Sequence, residues 1–178
     1  MANTYINITK QVLTTASTSV TFSSIPQTYD DIIIRVSAHS TDSVNNVDNL
    51  LIRFNSDSGG NYSSLEFLGR NVSTGPEGIR TIATTGMPNI QLPTNTINAS
   101  YFNSAELYIP KYTVTSPKQI KVWNFCPNPT NTANATRVAG MGQYYNTSSA
   151  ISSISFASAN GYNLAAGSGF WLYGIKNT

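Results

Sequence analysis

"DIIIRVSAHS", residues 31–40, decides the fold class because its apolar residues recur with a period of two and not of 3.6. Ile32, Ile34, Val36 and Ala38 share one side of an extended chain, while Ile33, Arg35, Ser37 and His39 share the other. Such a strand has one face in a core and one face that is wet or covered. "SAELYIPKY" (104–112) alternates likewise, with Ala105, Leu107 and Ile109 opposed to Glu106 and Tyr108, and Pro110 marks a strand end or sheet edge. "GFWLYGIK" (169–176) sets Phe170 and Leu172 against Trp171, Tyr173 and Ile175, which reads as a strand buried on both sides.

Extended from these three, the same rhythm predicts strands over 4–14, 19–25, 31–40, 49–56, 61–69, 79–86, 103–112, 118–126, 136–145, 151–158 and 168–176. Helical periodicity is almost absent, and Gly, Pro and Asn punctuate the intervals. The expectation is therefore an all-β chain, an antiparallel β-sandwich of jelly-roll or related Greek-key winding. Residues 1–178 are expected to form one sandwich domain, with residues 1–15 either a first strand or an N-terminal arm. "STDSVNNVDN" (40–49) and "CPNPTNTANAT" (126–136) read as exposed loops.

Polarity comes from 22 Ser, 21 Thr and 20 Asn, whereas Lys and Arg number only 10 and Asp and Glu only 8. Phosphate binding relies on clustered cations, so this surface argues against a nucleic-acid partner. No apolar run is long enough to span a membrane. The start, "MANTYINITK", lacks the pattern of a secretory signal, and synthesis in a cytoplasm is expected. One cysteine, Cys126, excludes a disulfide framework and a paired-cysteine metal site.

"RFNSDSGGNYSSLEF" (53–67) admits two readings. As a calcium loop it places Asn55, Asp57, Gly59, Gly60 and Glu66 at positions 1, 3, 5, 6 and 12 of the twelve-residue pattern, but the flanks alternate like strands and a glycine stands at position 5, where a side-chain oxygen is needed. As a hairpin with the turn Asp57-Ser58-Gly59-Gly60, it pairs Phe54 with Ser63, Ile52 with Leu65 and Leu50 with Phe67, placing Arg53 and Glu66 diagonally on the opposite face. The hairpin is the expected structure.

Catalytic machinery is not expected. His39 is the single histidine, and the carboxylates are Glu66, Glu77, Glu106 and five aspartates, of which Asp30 and Asp31 are adjacent and cannot face each other across a cleft. His39 reads as a surface or interface residue. No phosphate loop, dinucleotide fingerprint or metal-ligand spacing occurs, so no catalytic, cofactor-binding or metal site is predicted. Among the aromatics, Tyr144, Tyr145 and Tyr162 sit among amides and glycines near turns and are the expected surface-contact residues.

"SSIPQTYDDIIIRVSAHS" (23–40), "LLIRFNSDSGGNYSS" (50–64) and the closing "LYGIK" (172–176) together resemble a family of small virion proteins of tailed bacteriophages, especially phages of aquatic bacteria. The resemblance covers roughly residues 18–72 and 169–176. It implies a jelly-roll-like β-sandwich on the virion surface and brings no catalytic residues with it. The role it implies is a non-enzymatic capsid decoration or cement protein, bound to the major capsid protein or another virion protein as a homo-oligomer, with a trimer favoured. The alternative is a component of a tail or neck fibre that binds a host glycan or receptor.

Overall fold

The computed structural model describes residues 4–70, 77–127, 136–146 and 149–177, and none of these is helical. Among them run twelve strands: β1 (Thr4–Val12), β2 (Ser19–Phe22), β3 (Asp31–Ser37), β4 (Val47–Phe54), β5 (Tyr62–Arg70), β6 (Glu77–Thr84), β7 (Met87–Pro93), β8 (Ser104–Pro110), β9 (Lys118–Cys126), β10 (Thr136–Tyr144), β11 (Ile154–Ser158) and β12 (Gly169–Lys176). Eight form one sheet in the order β1-β12-β3-β8-β9-β10-β5-β6, and four form a second in the order β2-β11-β4-β7. All the strand pairs are antiparallel.

The pairing is nested. β1 pairs with β12, β2 with β11, β3 with β8, β4 with β7 and β5 with β6, and these pairs fall alternately in the large and the small sheet. That is the winding of a jelly roll, with β9 and β10 inserted as an extra hairpin between β8 and β5. The N-terminal stretch is a strand over residues 4–12, paired along β12.

Alternation sets what each strand buries. Leu172, Ile34, Leu107 and Val122 stand opposite one another across four strands of the large sheet, each at most 1% exposed. Leu50, Ile52, Phe54, Ile154 and Phe156 meet them from the small sheet. Each such side chain contributes about 1.5–3 kcal/mol relative to exposure, which makes this interface the main source of stability. Aromatic pairs fill the middle and one end: Phe156 packs against Phe22 and Phe170 at 5.7 and 5.0 Å, and Tyr62 stacks on Tyr144 at 4.9 Å.

The hairpin expected at 53–67 does not form. β4 lies in the small sheet and β5 in the large one, so residues 55–61 cross between sheets. Ile52 pairs with Phe156 and Met87, while Leu65 pairs with Met141 and Arg80. The inward residues of β5 are Tyr62, Ser64, Glu66 and Leu68; Leu65 and Phe67 face out, the reverse of the expected phase. Arg53 donates to Thr85 O and is not beside Glu66.

A polar knot holds the crossing. Asn55 and Ser56 take left-handed φ of 54° and 58°, which the Asn55 side chain supports by donating to Ser149 Oγ and Ala150 O and accepting from the Ser152 and Ser153 amides. Asp57 accepts from Gly59 N, Asn61 Nδ2, Asn146 Nδ2 and the Tyr144 hydroxyl. The Tyr62 hydroxyl accepts from Phe54 N and donates to Asp57 O. Asn55 and Asp57 thus spend their oxygens on donors, and no group of three or more His, Cys, Asp or Glu gathers among the described residues.

Other sequence expectations need correction. β7 falls outside the strands expected from the sequence, because Pro88 and Pro93 obscure its pattern; it lies at the edge of the small sheet, where missing donors are tolerated. The stretch 40–49 is less exposed than its composition suggests: Asp42 and Asp48 are buried, Asp42 accepting from Val44 N and Asn45 N, and Asp48 from the Ser40 and Ser158 hydroxyls. Most of the second expected loop, 128–135, lies outside the described residues. His39 is fully buried and not at the surface; its ring nitrogens lie 2.7 Å from Tyr101 O and 2.9 Å from Asn95 Oδ1, and the ring packs against Phe102.

Two carboxylates give opposite pH signatures. The Asn146 amide, opposed by burial and joined by Gly59, Asn61 and Tyr144, holds Asp57 below its ordinary 3.8. Its contribution is present above pH 3.8 and is lost as pH falls through the lower folded value. Burial pushes Glu66 above its ordinary 4.5, only partly offset by Ser64. A raised acid pKa makes stability greatest below 4.5 and reduces it as pH rises through the folded value. Thermal melting across pH is expected to show Asp57→Ala destabilised by about 2–3 kcal/mol at neutral pH with a weakened acid limb. Glu66→Gln is expected to melt above the parent protein at neutral pH, with the two converging below pH 4.5.

Candidate functional site

The outward row adjacent to the buried one carries the site. Trp123 on β9 stands opposite Glu106 on β8, Glu106 opposite Arg35 on β3, and Arg35 opposite Trp171 on β12. β9 alternates strictly, so burying Ile120, Val122 and Asn124 forces Lys121, Trp123 and Phe125 outward. Trp123 is 55% exposed and Phe125 44%. An open groove of about 780 Å³ runs between Trp123 and Phe125 on one side and Trp171 and Tyr173 on the other, floored by Arg35, Ser37, Ser104 and Glu106.

The floor is preorganised. Arg35 Nε donates to Glu106 Oε2 at 3.0 Å, and its guanidinium lies 5.6 Å from the centre of the Tyr173 ring. This ion pair is half-exposed, so it adds little stability and its polar groups face the groove. Trp171 leans along its strand over Gly169, where a Cβ would collide with Cη2 of the indole. The glycine is the reason the ring can lie close to the sheet.

Beyond Trp123 the apolar surface continues. A second depression of about 530 Å³ is lined by Phe67, Tyr108, Lys121, Trp123 and Met141, and Leu65 lies in register with Met141. Trp123 is therefore a ridge between two hollows, with Lys121 Nζ 6.0 Å from its ring centre. The outer face of the small sheet differs: Ser19, Thr21, Val47, Asn49, Leu51, Arg53, Ser155 and Ala157 lie on it, and none of these is aromatic. Aromatic exposure is concentrated on the large sheet.

The arrangement offers stacking surfaces, a guanidinium donor, a carboxylate acceptor and the hydroxyls of Ser37, Ser104 and Tyr173. Glu106 is the carboxylate of the groove, and Glu66 points to the opposite face of the sheet. Cys126 is buried, which pushes its thiol up to about 12.

The three tyrosines expected to form a contact surface are not brought together. Tyr144 is fully buried and donates to Asp57. Tyr145 is 43% exposed, with its hydroxyl 2.7 Å from Ser63 Oγ. Tyr162 is half-buried in the turn after β11 and reaches Asp42, at the far end of β4 from Tyr145. The sequence signal that was missed is a tryptophan in the polar phase of a strand: Trp123 alternates with the core in step with Gln119 and Lys121. Trp171 and Tyr173, expected on a doubly buried strand, are half-buried and line the groove.

No family model and no curated protein matches the chain. Among solved structures it is similar to the CBM40 of Ruminococcus gnavus IT-sialidase bound to alpha2,3 sialyllactose, with a TM-score of 0.30 and 12% identity over 85% of this chain and 91% of that one. A likeness at that level carries no argument about function.

Gly169→Ala is expected to displace the Trp171 indole, costing about 1–3 kcal/mol and changing the near-ultraviolet dichroism. Tyr145→Ala, well away from the groove, is expected to leave that aromatic signature of Trp171 unchanged. An unaltered Trp171 signal in Gly169→Ala would contradict the close approach.

Proposed function

We propose that the protein is a non-enzymatic recognition module of a virion surface that binds glycan in the groove on the outer face of its large sheet. The observation that carries this is the single row Trp123, Glu106, Arg35, Trp171. Two indoles flank a paired donor and acceptor on a rigid sheet, and apolar walls with a few placed polar groups are the usual composition of a ligand site. Sugars present apolar faces for aromatic rings and hydroxyls for hydrogen bonds, so both halves of the groove find a counterpart. The virion setting rests on the phage-protein resemblance. The polar groups here hold and orient; Glu106, paired with Arg35, has no second carboxylate among the groove-lining residues with which to cleave a glycosidic bond.

Capsid decoration is the second reading, favoured by the apolar strip of Leu65, Phe67 and Met141 beside Trp123. Exposures of 37%, 51% and 57% for these side chains suit a protein contact better than a sugar. In that reading a homo-oligomer docks this strip on the major capsid protein.

The test is an array of bacterial surface glycans probed with the intact protein, Trp123→Ala and Trp171→Ala. Trp123→Ala is expected to weaken glycan binding by several-fold to about tenfold while changing the melting temperature little, because its ring is half-exposed; Trp171→Ala is expected to weaken binding similarly but to lower the melting temperature, because its ring is mostly covered. Absence of glycan binding, with saturable capsid binding lost on Phe67→Ser or Met141→Ser, would transfer the assignment to decoration.

A further inference from the structure

The groove's own charges narrow the ligand class, given that it holds a glycan. We propose that it takes an uncharged oligosaccharide lying across the strands from Trp123 to Trp171, with Arg35 and Glu106 together binding neighbouring hydroxyls of one ring.

Arg35 and Glu106 are the ionisable groups of the lining apart from Tyr173, and they are joined at 3.0 Å. A carboxylate or sulfate on the sugar needs a cation whose charge is not already matched, and in the groove it would meet Glu106 at close range. A pair of hydroxyls has no such conflict. Each can accept from a further N–H of the guanidinium or donate to a carboxylate oxygen, and charge-assisted bonds of this kind are the strong ones. Lys10, opposite Trp171 on β1, and Lys121, beside Trp123, lie outside the lining.

Length and direction follow from the register. Trp123 and Trp171 sit on strands separated by β8 and β3, a span of three strand spacings or roughly 14 Å. That exceeds one pyranose ring, so a short oligosaccharide is needed to touch both indoles. The row runs perpendicular to the strands, and the bound chain would do the same.

The chain's two tryptophans both line the groove, so intrinsic emission reports on it directly. Emission is titrated with neutral trisaccharides (maltotriose, cellotriose, mannotriose and triacetylchitotriose), with acidic ones (trigalacturonic acid and sialyllactose), and with the glycans that bind best on the array. Each is measured at low and high salt, for the parent protein and for Glu106→Gln. The proposal expects saturable binding of a neutral glycan, unchanged by salt, weaker for the matching monosaccharide, and weakened about tenfold by Glu106→Gln. Circular dichroism and an unchanged melt confirm that the variant is folded. Binding confined to acidic glycans, lost at high salt and strengthened by Glu106→Gln, would overturn the uncharged class and leave glycan recognition standing. No response to any glycan would remove both.

Discussion

Contact between the two sheets fixes which way the side chains of β12, β3, β8 and β9 point. Leu172, Ile34, Leu107 and Val122 must face the small sheet, because leaving them in water would forfeit several kcal/mol. With a side-chain period of two, the residues one step away, Trp171, Arg35, Glu106 and Trp123, must then face outward, and the common register lines them up. The row proposed to bind glycan is thus the reverse side of the core. A one-residue slip in any of the four strands would bury a charge or an indole and break the line.

This placement also explains why the groove is suited to binding without large rearrangement. Sites on strands hold geometry better than sites on loops, and less freedom is lost when a ligand arrives. Trp171 is confined by its approach to Gly169, and Arg35 is held between Glu106 and Tyr173. The connections at the sandwich ends are secured separately by Asp57, Asn55, Asp48 and Asn103, which bond to groups on other segments. Polar residues pin the ends, apolar residues fill the middle, and the outer face carries the groove.

Much of this was legible in the sequence where one strand could be judged by itself. Ile32, Ile34 and Val36, or Ala105, Leu107 and Ile109, announce their burial by alternation, and enough such strands imply a sandwich. What alternation cannot supply is the partner. Leu50, Ile52 and Phe54 have the phase of a hairpin with Leu65 and Phe67, yet the chain crosses to the other sheet, and Asn55 at positive φ is a local feature that apolar patterning does not reveal. Tyr144 looked exposed beside its glycines and amides, but the amide of Asn146 and the Tyr144 hydroxyl converge on Asp57, 87 residues before Tyr144 in the chain. His39 followed the polar phase of its strand and was buried by segments around Asn95 and Tyr101. The groove is not legible in the sequence because its residues come from four strands far apart in the chain, and a large aromatic in a strand reads as core.

The central claim, that the outer row of the large sheet is the recognition surface, is tested most directly by nuclear magnetic resonance of the labelled protein titrated with a glycan that it binds. The two indole N–H signals and the amides of Arg35, Glu106, Trp123 and Trp171 are predicted to shift together and saturate at one affinity. Shifts confined to the sandwich ends, around Tyr145 or Tyr162, or to the outer face of the small sheet, with both indole signals unmoved, would contradict it.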